Sequence, residues 1–212
     1  MRQIINPWLE MQGYNCFGCC ATNPHGMHMQ FYDADPADIN AYVYSVFEPT
    51  YDHQSWLNTL HGGLQATLLD EVCGWIVFAK MRTSGVTAKM DIRYRKAVST
   101  VNGPIVLRAK LEEEHHRVAT VKGEIWTRRD DSELPSTTAQ TENLTDEEYL
   151  QTNYQLAAEC ECTYFSFNQQ KAEQMGYREP SVDPTDYSLS QVVEQTKRRS
   201  SDTRYKTLRP SV

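Results

Sequence analysis

The sequence has no long hydrophobic run. Its longest apolar stretch, Val72 to Ala79, falls far short of the roughly 20 residues that a membrane helix needs. The opening residues, MRQIINPWLEMQGYNC, contain no apolar core of the signal-peptide kind. A cytoplasmic location with no membrane partner is therefore expected. Excess positive charge is also missing. Lys and Arg number 21 against 28 Asp and Glu, a formal net charge of -7, which argues against nucleic acid as a partner. No repeat recurs at solenoid periods. The six cysteines stand without a secretory signal, so reduced thiols are expected.

What is present is uneven. The 212 residues suit one domain, or one domain with extensions. Mean hydropathy is only -0.62 although 40% of residues are hydrophobic, so polar segments dilute a real core. Residues 1–168 carry 13 basic and 22 acidic residues, while 169–212 carry 8 and 6. Residues 1–26 hold many turn signals, among them Asn6-Pro7, Gly13 and Asn23-Pro24, and read as irregular. Residues 130–150 contain seven acids and no base, and read as a solvated acidic insertion. Residues 169–212 read as a polar tail without fixed structure.

Between these segments the pattern is regular. Residues 27–32 and 40–48 read as strands rich in aromatic and β-branched residues. Gly62 to Met81 is apolar nearly all round, the mark of a helix wrapped by other elements. From Gly85, Val86, Ala88, Met90, Ile92 and Tyr94 alternate with polar residues, a strand period. Strands at 105–111, 118–128 and 160–167 follow. The expected fold class is α+β, an antiparallel sheet wrapped around one long central helix. Open sheet edges favour pairing with a second copy.

The helix opens on His61-Gly62-Gly63. Its first N–H groups lack internal partners and lie at the positive end of the dipole, a candidate oxyanion site. Taken alone, the glycines are better accounted for by a plain tight turn. Asp70 and Glu71 follow about 100° apart. Asp70 shares its face with Ala66, Thr67 and Gly74, all small; Glu71 lies beside Leu64, Trp75 and Phe78, all large. Small neighbours leave room for a substrate or partner, so Asp70 is the candidate for chemistry. Glu71 reads as exposed or ion-paired.

The run Thr59-Leu60-His61-Gly62-Gly63-Leu64-x-Ala66-Thr67-Leu68-Leu69-Asp70, with Gly85-Val86-Thr87, resembles the hotdog-fold acyl-CoA thioesterases of the phenylacetyl-CoA thioesterase (PaaI-like) family. Asn23-Pro24-His25-Gly26-Met27-His28-Met29-x-Phe31 resembles that family's entry into its first strand. The resemblance covers roughly residues 15–168. It implies a homodimer or homotetramer with the site between subunits. It implies Asp70 as general base or nucleophile, the Gly62 N–H of the facing subunit as oxyanion donor beside Gly63, Thr87 as a positioning hydroxyl, and His61 as support for the turn. Where some relatives carry a loop Asn, this sequence has Ser55, with Gln54 and Asn58 nearby; Ser55 and Asn58, with the aromatic Trp56 as a pocket-lining residue, are the substrate-side candidates.

Six bases and one acid lie between Lys80 and Lys96. They form an expected positive field for coenzyme A phosphates, with Arg93 and Lys96 as contacts. Trp75 and Phe78 would line an acyl pocket or fill the core. Cys16, Cys19 and Cys20 with His25 and His28 have a zinc-like composition, but no metal and no cofactor are expected, because the family resemblance accounts for residues 23–31 without one. Two other functions stay open: a non-catalytic acyl-CoA-binding hotdog protein, and a dehydratase. A carboxylate on the central helix with no matching catalytic His disfavours the second.

Overall fold

The computed structural model describes residues 1–130 and 144–201. Its centre is helix α1, Gly62–Ala79. Leu68, Leu69, Val72, Cys73 and Ile76 are all fully buried. A helix apolar on most sides satisfies itself only inside a curved sheet, and that is its position. At its far end Lys80 is buried. Its Nζ donates to Asp33 Oδ1 at 2.5 Å and to the carbonyls of Asp35 and Asp38 at 2.7 and 2.9 Å. One buried cation thus ties the end of α1 to the chain that follows β2.

Among the described residues eight strands form one antiparallel sheet: β1 (Arg2–Ile5), β2 (Phe31–Asp33), β3 (Val43–Phe47), β4 (Gly85–Tyr94), β5 (Ile105–His115), β6 (Val118–Arg128), β7 (Tyr154–Ser166) and β8 (Ser181–Asp186). Their spatial order is β4-β7-β6-β5-β3-β2-β1-β8. The molecule has the α+β hotdog fold, an antiparallel sheet curled around α1. Among the described residues no helix is long and apolar enough to cross a membrane.

β4 is an edge strand, and its alternation breaks. Register with β7 shifts between Thr87 and Lys89. Past the shift Met90 and Ile92 pair with Cys162 and Cys160; before it Thr87 pairs with Tyr164. One extra residue reverses which side chains face the helix. Thr87 therefore turns toward α1, and Val86, expected on the apolar face, is 50% exposed.

Several expectations need correction. The strand expected at 27–32 is only Phe31–Asp33, and the last expected strand begins at Tyr154 rather than Cys160. Of the acidic insertion, residues 131–143 lie outside the described residues. Its end is ordered: Thr145 caps helix α2, Asp146–Asn153, with a reciprocal Glu148. The tail expected to lack structure forms α3 (Gln169–Gln174), β8 and α4 (Leu189–Ser201); residues 202–212 lie outside the described residues. The reason is a second core. Leu189, Val192 and Val193 of α4 and Leu150 of α2 bury against Tyr32, Tyr44, Val46, Val106 and Tyr154. The spacing 189, 192, 193 is one helical face, and Ser188 with Gln191 makes a capping box through bonds of 2.8 and 3.3 Å. Residues 1–26 are not wholly irregular either, since β1 pairs with both β2 and β8.

Candidate active site

His61 shapes the start of α1. Its Nδ1 accepts from the Gly63 N–H at 2.9 Å, and its carbonyl accepts from the Gln65 N–H at 3.0 Å. Tyr94, at the end of β4, donates its hydroxyl to the Gly62 carbonyl at 2.9 Å. The Gly62 N–H opens the helix and has no helical carbonyl one turn earlier. A Cβ on Gly62 would meet only the Tyr94 ring, at 3.7 Å, an ordinary contact. Packing within the chain therefore does not require glycine there.

Asp70 lies eight residues further along, half-buried. Thr87 Oγ1 donates to its Oδ1 at 2.6 Å. The Tyr164 hydroxyl reaches the same Oδ1 at 3.2 Å and the Asp70 carbonyl at 2.9 Å. Burial raises the Tyr164 phenol well above its usual range, so it stays protonated and donates. The carboxylate is thus held by one oxygen from two strands, β4 and β7, which leaves its second oxygen for a reacting group. Its helix face is the small one. A Cβ on Gly74 would meet the Tyr164 hydroxyl at 3.7 Å.

Glu71 sits differently. Trp75 Nε1 donates to its Oε1 at 3.2 Å, and the Cys16 thiol lies 3.8 Å from the same oxygen. Gly18 presses on it so closely that a Cβ there would fall 2.3 Å from the carboxyl carbon. Burial pushes its pKa up to about 7. Contrary to expectation it is half-buried and forms no ion pair among the described residues: the amino-terminal segment covers it.

The structure joins Asp70 to Thr87, and His61 to Gly62 and Gly63, as two clusters. They are eight residues apart on one helix, about 12 Å at the usual rise. Tyr164 and Tyr94 escaped the sequence reading. Tyr164 shares strand parity with Cys160 and Cys162, so its inward face was legible. Its partner was not, because nothing local to β7 points to Asp70.

The other candidates scatter. Ser55 is spent on its own loop, with its N–H and Oγ both directed at the Thr59 carbonyl. Asn58 has φ 57°, a left-handed turn residue. Trp56 is 81% exposed. Trp75 and Phe78 are core, in ring contact with each other and with Trp8. The positive field between Lys80 and Lys96 does not form. Lys80 is buried on Asp33, Arg82 faces Glu179, Lys89 faces Asp91 and Arg95 faces Glu159. Arg93 and Lys96 form no ion pair among the described residues, although Lys96 bonds Gln155. Arg93 lines a cleft with Asp91, Lys122, Glu124, Glu159 and Glu161, an acidic setting.

A model of the thioesterase superfamily matches residues 57–133, a stretch that includes Gly62, Asp70 and Thr87. No curated protein matches the chain. Solved structures similar to it include a thioesterase superfamily protein (22% identity, TM-score 0.48, covering 67% of this chain and 58% of that one). Thioesterase superfamily member 2 of zebra fish is 19% identical, with a TM-score of 0.46 over 66% of this chain and 81% of that one. A hypothetical thioesterase protein with coenzyme A from Streptococcus pneumoniae is 17% identical, with a TM-score of 0.46 over 66% and 90%. The chain spans little more than half of the first of these.

Proposed function

We propose that this protein is an acyl-CoA thioesterase of the PaaI-like kind, working as a homodimer or a pair of dimers. The observation that carries the reading is the clamp on Asp70: a half-buried carboxylate on a small-residue helix face, held through one oxygen by Thr87 and Tyr164. Thioester hydrolysis needs such a group. Water is a weak nucleophile, so a carboxylate removes its proton or attacks the acyl carbon itself. Thr87 and Tyr164 orient the carboxylate in either role.

The reaction also places negative charge on the carbonyl oxygen, which preorganised N–H groups stabilise. One lost donor of this type typically costs roughly 2.7–4 kcal/mol of barrier. The Gly62 N–H suits that task, but about 12 Å of helix separates it from Asp70 in the same chain. One thioester does not reach both. The Gly62 of a second copy, facing Asp70, closes the gap. Support comes from β4: a ten-residue edge strand with Val86 and Tyr94 about half exposed, at 50% and 51%. Such an edge is open to pairing. Arg93 and Lys96, which form no ion pair among the described residues, are the proposed contacts for coenzyme A phosphates. Gly63, Ser55, Trp56 and Asn58 are the proposed substrate-side residues.

The test is a panel of acyl-CoAs with released thiol measured, run beside Asp70→Asn. Turnover by the native chain and its near loss in a folded, dimeric variant support the assignment. Acyl-CoA binding with no cleavage of any thioester moves the protein to a binding role.

A further inference from the structure

The geometry points to a metal site outside the thioesterase centre: Cys16, Cys19 and Glu71 bind one Zn2+ or a similar thiophilic divalent ion. The Sγ atoms of Cys16 and Cys19 and a Glu71 carboxylate oxygen lie within 4.8 Å of one another. Cys16 Sγ stands 3.8 and 3.9 Å from the two Glu71 oxygens. Tetrahedral zinc, with bonds of about 2.3 Å to sulfur and about 2.1 Å to oxygen, separates its ligands by roughly 3.6–3.8 Å. The three donors are thus already close to the required spacing. Cys-x-x-Cys is itself a zinc-ligand spacing.

The surroundings are those of a built site. The Cys16-to-Cys20 segment forms one helical turn, with the Cys20 N–H bonded to the Cys16 carbonyl at 3.2 Å. The Met27 and Met29 N–H groups bind the carbonyls of Phe17 and Gly18 at 2.7 and 2.9 Å. Asn23 is buried and donates to the Asn15 and Cys16 carbonyls. Gly18 lets this turn close on the Glu71 carboxylate, where any Cβ would collide. Two of the ligands have supporting contacts: Trp75 Nε1 with Glu71 Oε1 at 3.2 Å, and the Tyr14 hydroxyl with Cys19 Sγ at 3.0 Å. Outer-shell hydrogen bonds of this kind orient metal ligands. Cys19 is buried while Cys16 is half exposed, so an ion has a way in and water can complete the tetrahedron.

The histidines first grouped with these thiols are not ligands here. His28 Nε2 is committed to the Asn23 carbonyl at 2.5 Å. The second thiol group, Cys73, Cys160 and Cys162, is closed inside the core with no carboxylate. In the proposed site, binding releases the thiol protons to solvent and leaves two thiolates and one carboxylate on the ion. The metal staples the amino-terminal segment to α1, one residue past Asp70. Its role is structural, and it stands or falls separately from the thioesterase reading.

The test uses the full chain, produced with zinc in the medium and purified without chelator. The expected result is about one zinc per chain by elemental analysis. After stripping, anaerobic Co2+ titration should show thiolate-to-cobalt charge-transfer absorption. Cys16→Ser and Glu71→Gln, checked for folding by circular dichroism, should each weaken Zn2+ binding by at least about tenfold. Cys162→Ala should leave it unchanged. Absence of stoichiometric metal overturns the site, as does undiminished binding in both first variants. Loss in Cys162→Ala alone, or a Cys16–Cys19 disulfide in the native protein, overturns it as well.

Discussion

Asp70 and Glu71 are chemically similar neighbours, and the molecule treats them as opposites. Asp70 faces small residues and accepts hydrogen bonds from two hydroxyls on one oxygen. Glu71 is covered by the Cys16–Cys19 turn and bonded by an indole, with its pKa pushed up to about 7 by burial. One step along a helix turns a side chain by about 100°. That rotation decides whether a carboxylate meets a strand edge open to a partner or a closed loop. The lesson is that environment, not residue type, assigns roles.

The contrast can be broken experimentally. Asp70→Asn should cost about 100- to 10,000-fold in acyl-CoA hydrolysis, the range for a lost general base; thiol release measures it, with the melting temperature held as control. Tyr164→Phe and Thr87→Ala should each lower kcat by roughly 10-fold or more with KM little changed, since a hydrogen bond to a charged group is worth about 1.5–3 kcal/mol. If either variant moves KM alone, the clamp is not a positioning device. On the Glu71 side the effects should fall on stability. Gly18→Ala forces a Cβ into the carboxylate and should cost about 1–3 kcal/mol, read by chemical denaturation. Pairing it with Glu71→Ala should recover part of that loss. Smallest of all, Glu71→Gln should change turnover less than about threefold, because no reacting group is lost. An Asp70-sized loss there would erase the distinction.

Part of the candidate site was legible beforehand. The Gly62 start and the carboxylate on the small face stand in one helix, α1, where helical spacing sets them out; Thr87, on β4, was singled out only by the family resemblance. Tyr164 was not, because its bond to Asp70 spans 94 residues. The phase of Thr87 was misread, because a bulge at the next residue reverses alternation and leaves no mark in composition. The α4 signal was present in Leu189, Val192 and Val193 but sat within a polar stretch. Its weight came only from the sheet face behind it. The positive field failed because counting bases ignores their partners: Lys80, Arg82 and Arg95 found acids distant in sequence, and Lys89 found Asp91 on its own strand.

By itself, then, the sequence determined the elements whose information is local: an all-round apolar helix, its glycine entry, and the long strands that cover it. Periodicity and capping are properties of neighbouring residues, so they can be read without a fold. Tertiary structure alone decided which side chains meet. It brought Tyr164 to Asp70, Lys80 to Asp33, the Cys16–Cys19 turn to Glu71 and α4 to the back of the sheet. Those contacts link residues far apart along the chain, and chain folding, not spacing, places them.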